Sequence, residues 1–267
     1  MSGPVKLSSR STGEFWEIGV LFEDAHLLAL NKPVCLLTSP DRYDPARPNL
    51  MKLLHAGIEA GSAWARERKL SYLMNAHRLD FETSGVLLLA KDKPTLVALA
   101  NLFGTEKPAK TYAALVAGAP EADTFSVDAA LSPHPLKVGT MRVDSRNGKR
   151  SRTDFSLREK FRGYSLLECR PITGRTHQIR VHAQYYGLPI VGDRIYGGPP
   201  LLLSHLKRGD YRLKPNKTER PLLSTVALHA EKLQLPNPQG GEMVSIEAPW
   251  PKDLTVAVKY LRRYAAL

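Results

Sequence analysis

Hydrophobic positions recur along the chain with two different periods, and the changes of period mark its elements. Val20–Asp24 and Leu27–Asn31 are apolar runs around an Asp-Ala-His turn, closed by Lys32-Pro33, which predicts a β-hairpin. Leu50, Leu53, Leu54 and Ile58 fall at helical spacing, and Gly61 follows as a stop. The polar stretch Asn75–Gly85 has no clear period and feeds Val86–Ala90, an unbroken apolar run read as a buried strand. Asp92 is placed to cap a helix with Pro94 in its first turn and Leu96, Ala100 and Phe103 on one face. Lys110–Val116 is a further strand. Met141–Asp144 and Thr153–Arg158 flank Arg146-Asn147-Gly148-Lys149, which predicts a second hairpin.

Tyr164–Cys169 reads as a strand, and Thr173-Gly174 as the opening of a helix that runs to about Tyr186 before Gly187. Pro199–Pro221, rich in proline and charge, reads as an ordered-ended insertion or long loop. Thr225–Leu235 and Met243–Glu247 are predicted strands. Leu254, Ala257, Val258 and Leu261 predict a closing amphipathic helix. Strands outnumber helices and mostly adjoin one another instead of alternating with them. The expected class is therefore α+β, with a mixed, largely antiparallel central sheet and flanking helices. The expected organisation is an extension at 1–19 and one domain at 20–267 carrying the insertion at about 199–221.

Composition narrows the class further. Of 267 residues, 43% are hydrophobic and 24% charged, which sets a disordered chain aside. The longest apolar stretches, Gly85–Ala90 and Pro199–Leu203, are far below the roughly 20 residues of a membrane helix. No secretory signal pattern opens the chain, so a cytoplasmic protein without a membrane partner is expected. Cys35 and Cys169 lie outside any CxxC pattern and are read as small buried apolar residues.

Charge is where the composition departs from the ordinary: 38 Lys+Arg against 26 Asp+Glu give a net +12. Lys137–Arg162 holds nine basic residues against three acids, and His205–Arg220 six against two. Clustering of this kind suits a polyanion, because each neutralised phosphate releases condensed counterions. Lys207, Arg208 and Arg212 in the second cluster are accordingly candidate contacts for a polyanion, RNA among them.

Two constellations carry candidate chemistry. The first is His77-Arg78-Leu79-Asp80-Phe81-Glu82-Thr83-Ser84-Gly85, with Asp80 in a polar loop ahead of the apolar strand. The second is Gly174-Arg175-Thr176-His177-Gln178-Ile179-Arg180-Val181-His182. On a helix His177, Arg180 and Gln184 share one face, able to hold phosphate, to pin a carboxylate, or simply to meet solvent. The five-residue spacing of His177 and His182 is unlike a zinc motif, and no metal site is expected.

Together these segments closely resemble the signature motifs of the RluA family of pseudouridine synthases. Leu30-Asn31-Lys32-Pro33, Lys110-Thr111-Tyr112, Leu228-His229-Ala230 and Ala248-Pro249 share the resemblance, which covers roughly Val20 to Leu261. It implies a cofactor-free isomerase that converts a uridine of structured RNA, ribosomal or transfer, into pseudouridine, on a mixed-sheet domain with a central catalytic cleft, working as a monomer with no obligatory protein partner. Several relatives carry an S4-type RNA-binding module, which is not expected here. By motif position Asp80 is implied as the catalytic carboxylate, Tyr112 as the aromatic beside the target base and Arg180 as the cation paired to Asp80. Arg78 is placed to hold or replace the extruded base, and Arg175 and His177 to contact RNA. Whether the carboxylate attacks as a nucleophile or removes a ribose proton is open at this level. The competing classes are a non-catalytic RNA-binding protein or RNA chaperone on the same fold, and a metal-dependent hydrolase, for which paired acids at ligand spacing are missing.

Overall fold

The computed structural model describes residues 3–42, 44–207, 211–212 and 218–267. The chain begins with strands β1 (Val5–Ser8), β2 (Phe15–Ile18), β3 (Val20–Glu23) and β4 (Leu27–Lys32). Helices α1 (Leu50–Glu59) and α2 (Ala63–Glu67) precede β5 (Met74–Asn75), β6 (Ser84–Ala90) and α3 (Lys93–Gly104). Strands β7 (Ala109–Ala117), β8 (Thr124–Asp128), β9 (Leu131–Pro133), β10 (Met141–Val143), β11 (Arg152–Phe161) and β12 (Tyr164–Pro171) follow. Helices α4 (Gln178–Tyr185) and α5 (Leu203–Lys207), strands β13 (Leu228–Pro236) and β14 (Met243–Glu247), and helix α6 (Lys252–Tyr264) complete the order. This is an α+β fold with antiparallel pairing of β1 with β2, β3 with β4, β4 and β5 with β6, β7 with β12, β9 with β10, β11 with β8 and β12, and β13 with β14.

The elements form two compact units, Met1–Lys110 with Ala230–Pro249, and Thr111–His229 with Trp250–Leu267. In the first, strand order is β3-β4-β6-β13, with β5 on β6 and β14 on β13. Strand β6 is buried along its whole length, and Leu27–Lys32 runs antiparallel to it from Leu27↔Ala90 to Lys32↔Gly85. A strand covered on both faces reads as a continuous apolar run, which is why Val86–Ala90 shows no alternation. Helix α3 starts where the sequence predicts: the Asp92 carboxylate accepts from Thr95 N at 2.8 Å, and His26 Nδ1 lies 2.8 Å from its other oxygen. The core of this unit gathers Leu27, Val86, Leu88, Leu99, Leu233 and Ile246.

In the second unit the order is β7-β12-β11-β8, over a core of its own that includes Leu115, Phe155, Leu167, Ile190 and Leu201. Helix α6 contributes Leu254, Ala257, Val258 and Leu261 to that core, the spacing legible in the sequence. Each leucine so buried stabilises the fold by roughly 1.5–3 kcal/mol.

Two expectations are corrected here. Strand β10 pairs with β9, not with the Thr153–Arg158 strand, which lies between β8 and β12. The Asn147-Gly148 turn does form, with Asp144 Oδ1 accepting from Arg146 N and Asn147 N, but the chain returns against Leu131, whose backbone bonds Lys149. A turn signal fixes the bend and not which strand the emerging segment joins. Cys169 is buried as expected, whereas Cys35 is exposed in a left-handed conformation with φ of 58°. Of the expected 199–221 insertion, the described residues include helix α5 and buried Leu201 and Leu206. No helix among the described residues is long and apolar enough to cross a membrane.

Candidate active site

In the first unit, the loop bearing Asp80 is clamped on both sides. Buried Leu79 receives a hydrogen bond from Thr38 Oγ1 to its carbonyl at 2.9 Å and donates its own N–H back to that hydroxyl at 3.1 Å. Thr83 N bonds the Asp80 carbonyl at 3.2 Å, closing the turn. Gly85 then enters β6 at φ of 113°, and a Cβ there would lie 2.2 Å from the carbonyl oxygen of Ala230. Only glycine lets these two segments approach so closely.

His77 supports the loop without chemistry of its own. Its ring is stacked on Phe103, and Nε2 accepts from Leu88 N at 3.1 Å, which requires the neutral tautomer. Burial, with a smaller contribution from the Lys110 charge, pulls its pKa down to about 3, so it stays neutral at physiological pH.

Lys32 is the site residue to which sequence reasoning gave no role. It is completely buried and donates from Nζ to the Pro33 carbonyl at 2.7 Å. Burial lowers its pKa to about 7, against the opposing pull of the Asp80 and Cys35 charges. A lysine at a strand end ordinarily reads as an exposed terminator. The only signal of its burial is its place at the end of the apolar run Leu27–Leu30. Arg78 is exposed.

In the second unit, Tyr112 sits on β7 opposite Cys169 and is half-buried against the core. Arg180 is buried on α4, so the solvent-facing reading of that helix face is excluded for it. Its Nε and NH2 donate to the two oxygens of Asp193 at 2.7 and 2.8 Å. Both side chains are at most 3% exposed, and Asp193 Oδ1 also accepts from Ile195 N and Tyr196 N. The Tyr196 ring lies 5.1 Å below the guanidinium carbon. The face does pin a carboxylate. That this carboxylate includes Asp193, thirteen residues on, carries no local signal in the sequence.

Helix α4 opens later than expected, at Gln178, with His177 as its N-cap at φ of 53°. His177 makes no capping bond because its Nδ1 pairs with Tyr196 Oη at 2.8 Å. Gln178 anchors the start instead: its amide donates to Arg152 O and Thr153 Oγ1, and its oxygen accepts from Thr173 Oγ1 and Arg175 N. His182 is buried between Thr153 Oγ1 and Ala129 O, a structural role. Arg175 is exposed and donates to Arg150 O. Lys207 lies over the Tyr264 ring at 5.2 Å and Arg212 is exposed. Arg208 falls outside the described residues.

Comparison with known proteins places these residues in a family. Residues 26–185 match the family model described as RNA pseudouridylate synthase. The chain is 36% identical over 260 residues to ribosomal large subunit pseudouridine synthase D of Xylella fastidiosa, spanning 94% of this chain and 71% of that one. It is 36% identical over 244 residues to ribosomal large subunit pseudouridine synthase C of Escherichia coli, spanning 91% and 70%. Among solved structures, human RNA pseudouridylate synthase domain containing 4 superposes with a TM-score of 0.68 at 26% identity, over 91% of this chain and 93% of that one. Asp80, Tyr112 and Arg180 all fall inside the matched segment, and the chain belongs to the RluA family of RNA pseudouridine synthases.

Proposed function

We propose that the chain isomerises uridine in ribosomal RNA to pseudouridine, with Asp80 as the catalytic carboxylate, Tyr112 beside the target base and Arg180 as the cation that steadies Asp80. The reaction breaks N1–C1′, turns the base, joins C5 to C1′, releases the C5 proton to solvent and takes up a proton at N1. No atom is gained or lost and no electrons are exchanged, so the balance closes without a co-reactant. An ionised carboxylate suits either route through this sequence, attack on the nucleoside or removal of a ribose proton. Tyr112 offers a flat face to an extruded uracil. Arg78 and Arg175, both exposed, are free in reach to meet RNA, and Arg175 stands just ahead of α4. Ribosomal RNA is taken as the substrate because the bacterial relatives are named for it.

The observation that carries the reading is the fixed loop around Asp80, held by Thr38 on both sides of Leu79 and by the Gly85–Ala230 approach, in a segment that matches the family model. A carboxylate needed only as a turn residue has no use for such clamping. The test is tritium release from ribosomal RNA labelled at uracil C5. Asp80→Asn is expected to bind this RNA within about twofold of wild type and to release no tritium. Appreciable release by the variant would remove Asp80 from its role.

A further inference from the structure

Within the second unit, a groove of about 390 Å3 runs between helix α4, the β9–β10 hairpin and the turn at Tyr196. Its size falls in the roughly 300–1,000 Å3 range of small-molecule sites. None of the catalytic assignments uses it. Lys137 and Arg142 line one wall from the hairpin, and Tyr185 lines the other from α4 with 60% of its surface exposed. An aromatic ring left this open beside a cavity offers a stacking face that is largely uncovered among the described residues.

The floor is built and not incidental. Tyr196 Oη accepts from Met141 N at 2.9 Å and pairs with His177 Nδ1, so one hydroxyl ties the hairpin to the start of α4. Groove width is therefore set by a side chain whose ring also packs against Arg180. The charge around it has one sign. From His134 to Arg150 there are five Lys/Arg and one acid, Asp144. That acid is occupied: it accepts from Ser132 Oγ, from the backbone N–H groups of Arg146 and Asn147, and from Arg142 at 3.1 Å.

We propose that this groove is a subsite for a single-stranded stretch of the RNA, with one base stacked on Tyr185 and its flanking phosphates on Lys137 and Arg142. A cationic groove with an exposed aromatic platform is the arrangement that single strands select, since every base has a stacking face and every linkage a phosphate. Duplex RNA, its bases already stacked, has nothing to offer Tyr185. The proposal rests on RNA being the substrate and adds which part of the molecule reads the unpaired segment.

The experiment is equilibrium binding of a fluorescein-labelled 12-nucleotide oligouridylate to the full chain between 50 and 300 mM salt. Tyr185→Ala is expected to weaken binding about five- to thirty-fold, the equivalent of a lost base stack, and Tyr185→Phe to restore it. Lys137→Ala/Arg142→Ala is expected to flatten the slope of log affinity against log salt by about 1.4, from two single-strand contacts at roughly 0.7 each. All three positions are exposed, and thermal melts of the variants check that they fold. In ribosomal RNA turnover, the Tyr185→Ala loss is expected in KM and not in the single-turnover rate at saturation. If wild type binds the oligonucleotide and the variants match it in affinity and salt slope, the groove assignment is overturned while the RNA reading stands. If wild type binds neither the oligonucleotide nor ribosomal RNA, the functional reading itself fails, and the groove assignment with it.

Discussion

An amine taken out of water resists protonation, and Lys32 makes that resistance measurable. Its folded pKa of about 7 lies below the ordinary 10.5, so between these values the unfolded chain binds more protons than the folded one. Stability contributed through this residue therefore rises with pH across that window, by at most about 1.4 kcal/mol per pH unit, and is lowest below pH 7. Lys32→Met removes the titration. The variant is expected to exceed wild type in urea midpoint at pH 6.5, with the gap shrinking steadily toward pH 10. Parallel curves for the two proteins would show that Lys32 does not titrate there. Gly85 makes a second test at this scale. With φ of 113° and a Cβ position 2.2 Å from the Ala230 carbonyl oxygen, Gly85→Ala is expected to cost at least about 2 kcal/mol of stability, read from denaturant melts. A carboxylate loop anchored on one glycine has no softer way to lose its place.

Helix α4 shows how an element can be legible in outline and not in what it does. The sequence displays Arg180 on a polar face, but burial and the bidentate partner come from a turn thirteen residues later, where Asp193 sits in a Gly-Asp-Arg stretch that looks like any surface bend. Removing one member of a buried pair leaves the other charge uncompensated, which typically costs about 3–5 kcal/mol. Asp193→Ala is expected to fall in that range by urea denaturation. Replacing both, as Arg180→Met with Asp193→Leu, is expected to recover most of the stability and none of the tritium release. Recovery of both would reduce the pair to packing. The Met141–Val143 strand fails to be legible for a related reason: the Asn-Gly turn beside it is local, but its partner β9 is chosen by where Leu131 can be buried. By contrast the α3 cap and the α6 stripe depend only on neighbours within a few residues, and the sequence displays both in full.

At the scale of the whole molecule, the net +12 and its two clusters govern association with RNA more than they govern the fold. If Lys207, Arg208, Arg212 and Lys214 line an RNA path, changing all four to Ala is expected to flatten the salt slope of binding by up to roughly 3. Single-turnover rates at saturating RNA should hold, because Asp80, Tyr112 and Arg180 are untouched. An unchanged slope would make the segment a solvated loop and leave His134–Arg150 as the main cationic surface. The α+β class and the antiparallel pairing were readable because adjacent strands with short turns permit little else. The division into two units was not, since no change of composition marks Lys110, His229 or Pro249.

That division dictates an order of events during synthesis. The first unit is completed only by Ala230–Pro249, after all of residues 111–229 have been made. Until then β6 lacks β13, and Val86, Leu88 and Leu99 lack the cover of Leu233, Leu235 and Ile246. A nascent chain halted near residue 229 therefore exposes an apolar strand edge, the kind of surface that chaperones shield and that aggregates otherwise claim. The Asp80 loop is in the same position: the Ala230 backbone against which Gly85 is pressed arrives 145 residues later, so the carboxylate takes up its place only after that segment has been made.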